Sequence, residues 1–251
     1  MLLEDRTAVI YGGAGSIGSA VARVFAREGA AVFLAGRTKA TLDAVAEDIR
    51  ATGGSTETAE VDALDESAVD AHAHGVAAER GGIDVSFNLI GHGYVQGTPI
   101  QEMEVEDYTG AVLSSVRTTF LTARAAARHM IRSGGGVILN FGGEGHPFRG
   151  YHLGSLQTCF HAVEAMRRQL AVELGEHSIR VVTLRTGGVP SSIPGESPER
   201  DAIRESITAA TLVGRAATPE DVGNAAAFAA SDRARTMTAA TINVSCGTLI
   251  D

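Results

Sequence analysis

Strand-like and helix-like patterns alternate along this chain from end to end, and that alternation constrains the fold more than any other feature. Short runs with strand character fall at 7–11, 31–35, 56–61, 85–88, 137–141, 179–184 and 241–244. Helical patterns fall between them at about 17–28, 39–51, 66–80, 105–132, 156–174 and 219–230. Antiparallel strands can be joined by a tight turn, whereas parallel strands need a crossover long enough to return the chain to the same edge. Helices in the crossovers therefore predict an α/β fold, a doubly wound parallel sheet flanked by helices. No internal repeat or low-complexity tract interrupts the pattern, so 1–251 is expected to be a single domain.

Composition bounds the function. With 251 residues, 44% of them hydrophobic, the chain can bury a sizeable core. A net charge of −9 argues against nucleic acid or an anionic membrane surface as partner. No apolar run approaches the roughly 18 residues of a membrane span. The opening Met-Leu-Leu-Glu-Asp-Arg lacks signal-peptide architecture, so a cytoplasmic location is expected. Two cysteines, Cys159 and Cys246, make neither a disulfide framework nor a zinc site, and the histidines show no ligand spacing, so no metal is expected. His72 and His74 fall on a polar helix and are expected to be solvated.

The first strand runs into Tyr11-Gly12-Gly13-Ala14-Gly15-Ser16-Ile17-Gly18, which opens the first helix. Glycine there allows a tight turn and lets a pyrophosphate approach the helix N-terminus. Gly12, Gly15, Ser16, Ile17 and Gly18 are the candidate phosphate-binding residues. The second strand ends in Ala35-Gly36-Arg37-Thr38, with no acid to take a ribose 2′-hydroxyl. The Arg37 guanidinium matches a 2′-phosphate in a bidentate fork, which favours NADP(H) over NAD(H); the other reading is a solvated arginine. One late segment, 186–198, is rich in Gly, Ser and Pro and holds Pro190, Pro194 and Pro198. It follows a strand where parallel sheets place ligand loops. It is expected to be a substrate lid covering 186–212, the alternative being a variable surface loop.

These residues, taken together, resemble the short-chain dehydrogenase/reductase family over roughly 5–248. Gly12, Gly15 and Gly18 follow the glycine spacing of its extended branch. Asp62 resembles the acidic residue that contacts adenine after the third strand. Asn88-Leu-Ile-Gly91 resembles the Asn-Asn-Ala-Gly that ends the fourth strand, which adds Asn88 and Gly91 to the expected nucleotide site. Gly214-Arg215 with Thr218-Pro219-Glu220-Asp221-Val222 resembles a Gly-Arg…Pro-Glu-Asp-Val signature near the C-terminus. The resemblance implies a Rossmann-like sheet, a nicotinamide nucleotide, oxidoreductase ancestry, and assembly into homodimers or homotetramers through the long helix and the active-site helix.

The same resemblance exposes a coordinated loss. The family carries a Tyr-x-x-x-Lys pair whose tyrosine is the general acid or base, with the lysine lowering its pKa from the same helix face. Aligned from Arg168-Gln-Leu170-Ala-Val-Glu173-Leu-Gly175, those positions hold Leu156 and Phe160. Aligned from Gly135-Gly136-Val-Ile-Leu139-Asn140-Phe141-Gly142-Gly143, the substrate-holding serine becomes Gly143, 13 residues before Leu156. On the long helix the relay asparagine becomes Ser115. Leu and Phe carry no titratable proton, and losing a general acid costs about 10²–10⁴ in rate. Carbonyl reduction by the family route is therefore not expected. Leu156, Phe160, Val163, Leu170 and Leu174 form an apolar stripe, read either as a filled pocket or as a pocket for an apolar small molecule. Three substitute acids are candidates for the cleft: His92 after the fourth strand, and His146 and Tyr151 in the loop before Leu156. Each can equally be structural. Two functions stay open: an NADP(H)-binding divergent oxidoreductase, and a pseudoenzyme acting as a ligand-binding or structural partner of an active paralogue, in a hetero-oligomer.

Overall fold

The computed structural model describes residues 1–143, 152–193 and 195–250. Seven strands are joined by helices in the order β1 (Thr7–Tyr11), α1 (Ser16–Arg27), β2 (Ala31–Gly36), α2 (Lys39–Ala51), β3 (Ser55–Glu60), α3 (Glu66–Arg80) and β4 (Val85–Asn88). The second half continues with α4 (Val105–Ser133), β5 (Gly136–Gly143), α5 (Leu156–Leu174), β6 (Ile179–Thr186), α6 (Pro198–Ala209), α7 (Pro219–Ala230) and β7 (Ala240–Asn243). All strands pair in parallel in the order β3-β2-β1-β4-β5-β6-β7. The winding therefore reverses between β1 and β4, and the crevice outside the carboxyl ends of these two strands is where such sheets bind ligands.

Burial explains the layering. The central strands β1 and β4 are buried throughout, as strands covered on both faces must be. Ala8, Ile10, Val32 and Leu34 face the apolar sides of α1, α2 and α7. Val9, Tyr11, Phe33 and Ile138 face α3, α4 and α5. The edge strand β3 is polar, Ser-Thr-Glu-Thr-Ala-Glu, and is covered on fewer sides. Local chemistry sets the helix starts. Asp65 accepts from the Ser67 and Ala68 N–H groups to begin α3. At α7 the Gly-Arg…Pro-Glu-Asp motif proves structural: Thr218 and Asp221 form a capping box, Pro219 takes the first turn, and Arg215 Nη1 donates to Asp221 at 2.8 Å. The Arg215 guanidinium holds the Asp221 carboxyl below the usual carboxylate range.

Two expectations are corrected. The buried stripe of α5 is Cys159, Val163, Arg167 and Ala171, and Leu156, Phe160, Leu170 and Leu174 flank it half-buried. The apolar letters suggested a stripe one position away, because the Arg167 stem is buried with its head paired to Glu164 at 2.9 Å. His72 is likewise not solvated. It lies on the face of α3 next to Val69, Ala73 and Val76, and its ring meets Tyr11 edge-on with centroids 5.8 Å apart. Burial lowers its imidazole to about 4, and Nδ1 has no partner among the described residues. The unfolded chain binds this proton near pH 6.5, the folded chain only near 4. Between those values the unfolded state holds more protons, so this contribution is complete above about pH 6.5 and is lost as pH falls toward 4. It amounts to roughly 3 kcal/mol at most. Melting curves from pH 4 to 8 are expected to show that loss, and His72→Gln is expected to flatten it; equal slopes in both proteins would contradict the assignment.

Candidate active site at the carboxyl edge of the sheet

The nucleotide-side candidates come together because the strands that carry them end side by side. Gly12 to Gly18 leave β1, Arg37 follows β2, Asp62 follows β3, Asn88 is the last residue of β4, and Gly91 lies three beyond it. The glycines are required by contact. Gly12 has φ +79°, and a Cβ there would lie 2.5 Å from the Leu89 carbonyl oxygen. A Cβ on Gly18 would lie 2.2 Å from the Gly12 carbonyl oxygen. Only hydrogen lets α1 seat against the turn, while the Gly15 N–H closes it onto Gly12 O at 3.0 Å. Gly18→Ala is expected to cost about 1–3 kcal/mol through overpacking, read as a lower urea midpoint at unchanged m-value. An unmoved midpoint would show that the turn yields.

The open end of α1 fits an anion. Its N-cap is Gly15, which has no side chain to offer, and the first turn holds no acidic residue. The first-turn N–H groups, with the positive end of the helix dipole, thus remain for a ligand at the switch point. Ser16 takes the first helical position and is exposed, and Ile17 behind it is half-buried. Arg37 is exposed and has no hydrogen-bond or ion-pair partner among the described residues. Its neighbour Lys39 is already engaged, with Nζ 2.6 Å from Asp43 and 2.8 Å from Thr58. The Asp62 carboxylate accepts from the Leu64 N–H at 3.0 Å and stays exposed. Asn88 is a buried scaffold: its Oδ1 accepts from the Ile90 N–H at 3.1 Å, and its Nδ2 faces the Thr118 and Thr122 hydroxyls of α4. Gly91 is exposed, with open space where a Cβ would sit.

The four positions given by the resemblance lie at the end of β5, the middle of α4 and the start of α5. A Cβ built on Gly143 would stand 2.8 Å from Cε2 of Phe160 and 3.2 Å from the Thr186 carbonyl oxygen. The Phe160 ring thus fills the room that a side chain at 143 would need. Tyr94 is the residue that sequence reasoning missed. Its ring meets Phe160 at 6.2 Å between centroids and 61° between planes. Its phenol interacts electrostatically with Cys159 and with the Ser115 hydroxyl. Burial raises the pKa of the phenol well above its ordinary value, and raises that of the Cys159 thiol as well. Ser115 is buried beneath it, and Leu156, half-buried, opens α5 one turn before Phe160. The loop that carries Tyr94 is pinned to the entry of α5. The Gly97 N–H donates to His152 O at 2.8 Å, and Gly154, at φ +58°, leaves room for the Val95 carbonyl that a Cβ would strike at 2.3 Å.

Of the substitute acids, His92 is described. Its Nδ1 lies 3.2 Å from the Ser114 hydroxyl, its ring stands edge-on to Tyr94 at 5.8 Å, and burial lowers it to about 4. It is neutral at pH 7 and holds no imidazolium proton to give. His146 and Tyr151 lie outside the described residues, as does Pro194 of the expected lid. The rest of that lid is a short 3₁₀ turn at Pro190–Ser192 followed by α6, which buries none of its residues. Arg204 ties the two together, donating to Ile193 O at 2.8 Å and Gly195 O at 2.7 Å while pairing with Asp201 at 2.6 Å. Among the described residues no group of three or more metal-binding side chains occurs, and no helix is long and apolar enough to cross a membrane.

Comparison with known proteins agrees with this architecture. A family model described as enoyl-(acyl carrier protein) reductase matches residues 12–248. An A-factor type γ-butyrolactone 1′-reductase (1S-forming) of Streptomyces virginiae is 33% identical over 98% of this chain and 96% of its own. A short-chain type dehydrogenase/reductase from Mycobacterium ulcerans superposes with a TM-score of 0.88 at 27% identity, covering 99% of this chain and 91% of its own. A 7α-hydroxysteroid dehydrogenase, solved with NADH and 7-oxo glycochenodeoxycholic acid, gives 0.87 at 27% identity over 98% and 94% of the two chains. A glycine turn that only hydrogen can close, at the reversal point of a seven-stranded parallel sheet, thus joins whole-length similarity in sequence and shape, and the chain belongs to the short-chain dehydrogenase/reductase family of oxidoreductases.

Proposed function

We propose that this protein binds NADP(H) and does not reduce carbonyls by the tyrosine–lysine route of its family, acting instead as a nucleotide-dependent binding protein for an apolar small molecule. The observation that carries this reading is the fit of Phe160 into the space above Gly143, with Tyr94 closing the cluster against Ser115. Single losses leave a hole or an orphaned partner. Here Phe160 takes the room that a side chain at 143 would need and Tyr94 packs against that ring, which supports a reorganised centre and not a damaged one.

Support for the nucleotide lies in the uncapped start of α1 and in the glycines whose Cβ would collide with backbone. The preference for NADP(H) rests on Arg37, the free guanidinium beside the ribose end, and on the absence of an acid from Gly36 to Lys39. When bound, the nicotinamide supplies a hydride. For a carbonyl to use it, this chain must also deliver a proton, and the described groups nearest Phe160 do not. Tyr94 is a phenol made less acidic by burial, with no cation beside it among the described residues, and His92 is neutral. Leu156 and Phe160 give the cleft an apolar wall, and a lid role for the 186–212 segment is supported by Arg204, which holds Ile193 and Gly195 against α6. Self-assembly as a homodimer or homotetramer is supported by Leu113 and Phe120 of α4 and Val172 of α5, large apolar side chains left in solvent.

Titration of the protein with NADPH and NADH, followed by nucleotide fluorescence, tests the reading. Saturable binding is expected, about tenfold or more tighter for NADPH, since charge-assisted contacts to a 2′-phosphate contribute about 1.5–3 kcal/mol. No saturation with either nucleotide would remove the proposal.

A further inference from the structure

Helices α3 and α4 lie side by side, joined by a ladder of ion pairs. Glu66 accepts from Arg124 Nη2 at 2.7 Å. One turn along, Asp70 accepts from Arg128 Nη1 at 2.9 Å and stands 3.7 Å from Arg124. The next residues on these faces, four further in each helix, are His74 on α3 and Arg132 on α4. Here the pairing stops. Arg132 has no carboxylate partner among the described residues, and its Nη2 meets Nδ1 of His129 at 2.7 Å. The rings of His74 and His129 stand 5.9 Å apart. With Ser133 and the small residues of the turn after α3, they line a cavity of about 220 Å³.

The chemistry of this gap selects the sign of its occupant. Arg132 is a permanent cation, and Arg128 stands one turn away. A metal ion would meet two imidazoles, no third ligand and a guanidinium. An anion would meet the fork of Arg132, which matches both carboxylate and phosphate oxygens. Two carbonyls near the end of α4 are already engaged, so the negative end of that helix is only partly offset and Arg132 must supply the attraction. Met130 O accepts the Gly134 and Gly135 N–H groups, and the Ser133 hydroxyl turns back to His129 O. The volume is several times the roughly 30 Å³ share of one water, enough for a small oxyanion with part of its shell.

We infer that the missing rung between His74 and Arg132 is a binding site for a small free oxyanion, a phosphate or a carboxylate, which supplies the negative charge that α3 lacks at this turn. The site lies on the α3–α4 seam and does not depend on the proposed nucleotide function.

The ring ¹H–¹³C signals of His74 and His129 report on this place alone. They are followed at pH 7.5 during titrations with sodium phosphate and with sodium acetate, against sodium chloride at equal ionic strength. Saturable shifts of both rings with phosphate or acetate, absent with chloride, are expected, and the tighter of the two anions names the class. Arg132→Ala is expected to abolish the shifts. His74→Glu completes the ladder from within, so the His129 signal should no longer respond and the melting temperature in chloride should rise. Shifts of equal size in chloride, rings that do not respond, or a response that survives Arg132→Ala would each overturn the inference.

Discussion

Gly143→Ser is expected to destabilise this protein by about 1–3 kcal/mol, the usual cost of forcing atoms into a packed site, and to cost much less once Phe160 is truncated. Serine's Cβ would stand 2.8 Å from the edge of the Phe160 ring on one side and 3.2 Å from the Thr186 carbonyl on the other. The ring cannot retreat freely, because Tyr94 packs edge-on against it. In a Phe160→Ala background the serine has room. The two substitutions should therefore couple by about 0.5–3 kcal/mol, the range for residues in contact. A double-mutant cycle from urea unfolding measures this directly. Strict additivity would mean that positions 143 and 160 changed independently, and the reading of a reorganised centre would fail with it.

Arg37→Glu is the second large effect. It is expected to weaken NADPH about 10–100-fold, by removing a charge-assisted contact and placing a carboxylate against the 2′-phosphate. NADH, which has only a hydroxyl there, should bind as well or better, since an acid at this point suits a ribose diol. Arg37 is exposed and without a partner among the described residues, so the substitution should leave the melting temperature of the free protein nearly unchanged. Nucleotide titrations of wild type and variant measure both affinities, and an equal loss for NADPH and NADH would point to the pyrophosphate turn in place of the 2′-phosphate.

The sheet was legible in the sequence because its signals are local. Apolar runs bounded by glycine and by caps such as Asp65 and Thr218 mark where elements begin, and crossover lengths dictate parallel pairing. The glycine turn was legible for the same reason, since the clashes that require Gly12 and Gly18 arise within a few residues of chain and across one neighbouring strand. The losses at Leu156 and Phe160 were visible only by alignment with a known pattern. What replaced them was not visible, because Tyr94 lies 66 positions before Phe160 and reaches it through the tertiary fold. Its one clue was its place in the glycine-rich loop beside His92. His72 failed for a related reason. A histidine within a polar helix looks solvated until the opposing strand supplies Tyr11. The buried Arg167 displaced the α5 stripe in the same way, since a charged letter hides an apolar stem.

Loss of the proton route is tested most directly by oxidation of NADPH by the wild-type protein, at nucleotide concentrations shown by titration to saturate it, across a panel of aldehydes, ketones and steroid ketones. The predicted result is a bound nucleotide with no carbonyl-dependent oxidation above the rate in buffer. Turnover of any carbonyl by the saturated wild type, retained after purification to homogeneity, would show that this cleft still delivers a proton and would contradict the claim that Phe160, Gly143 and Tyr94 have closed that route.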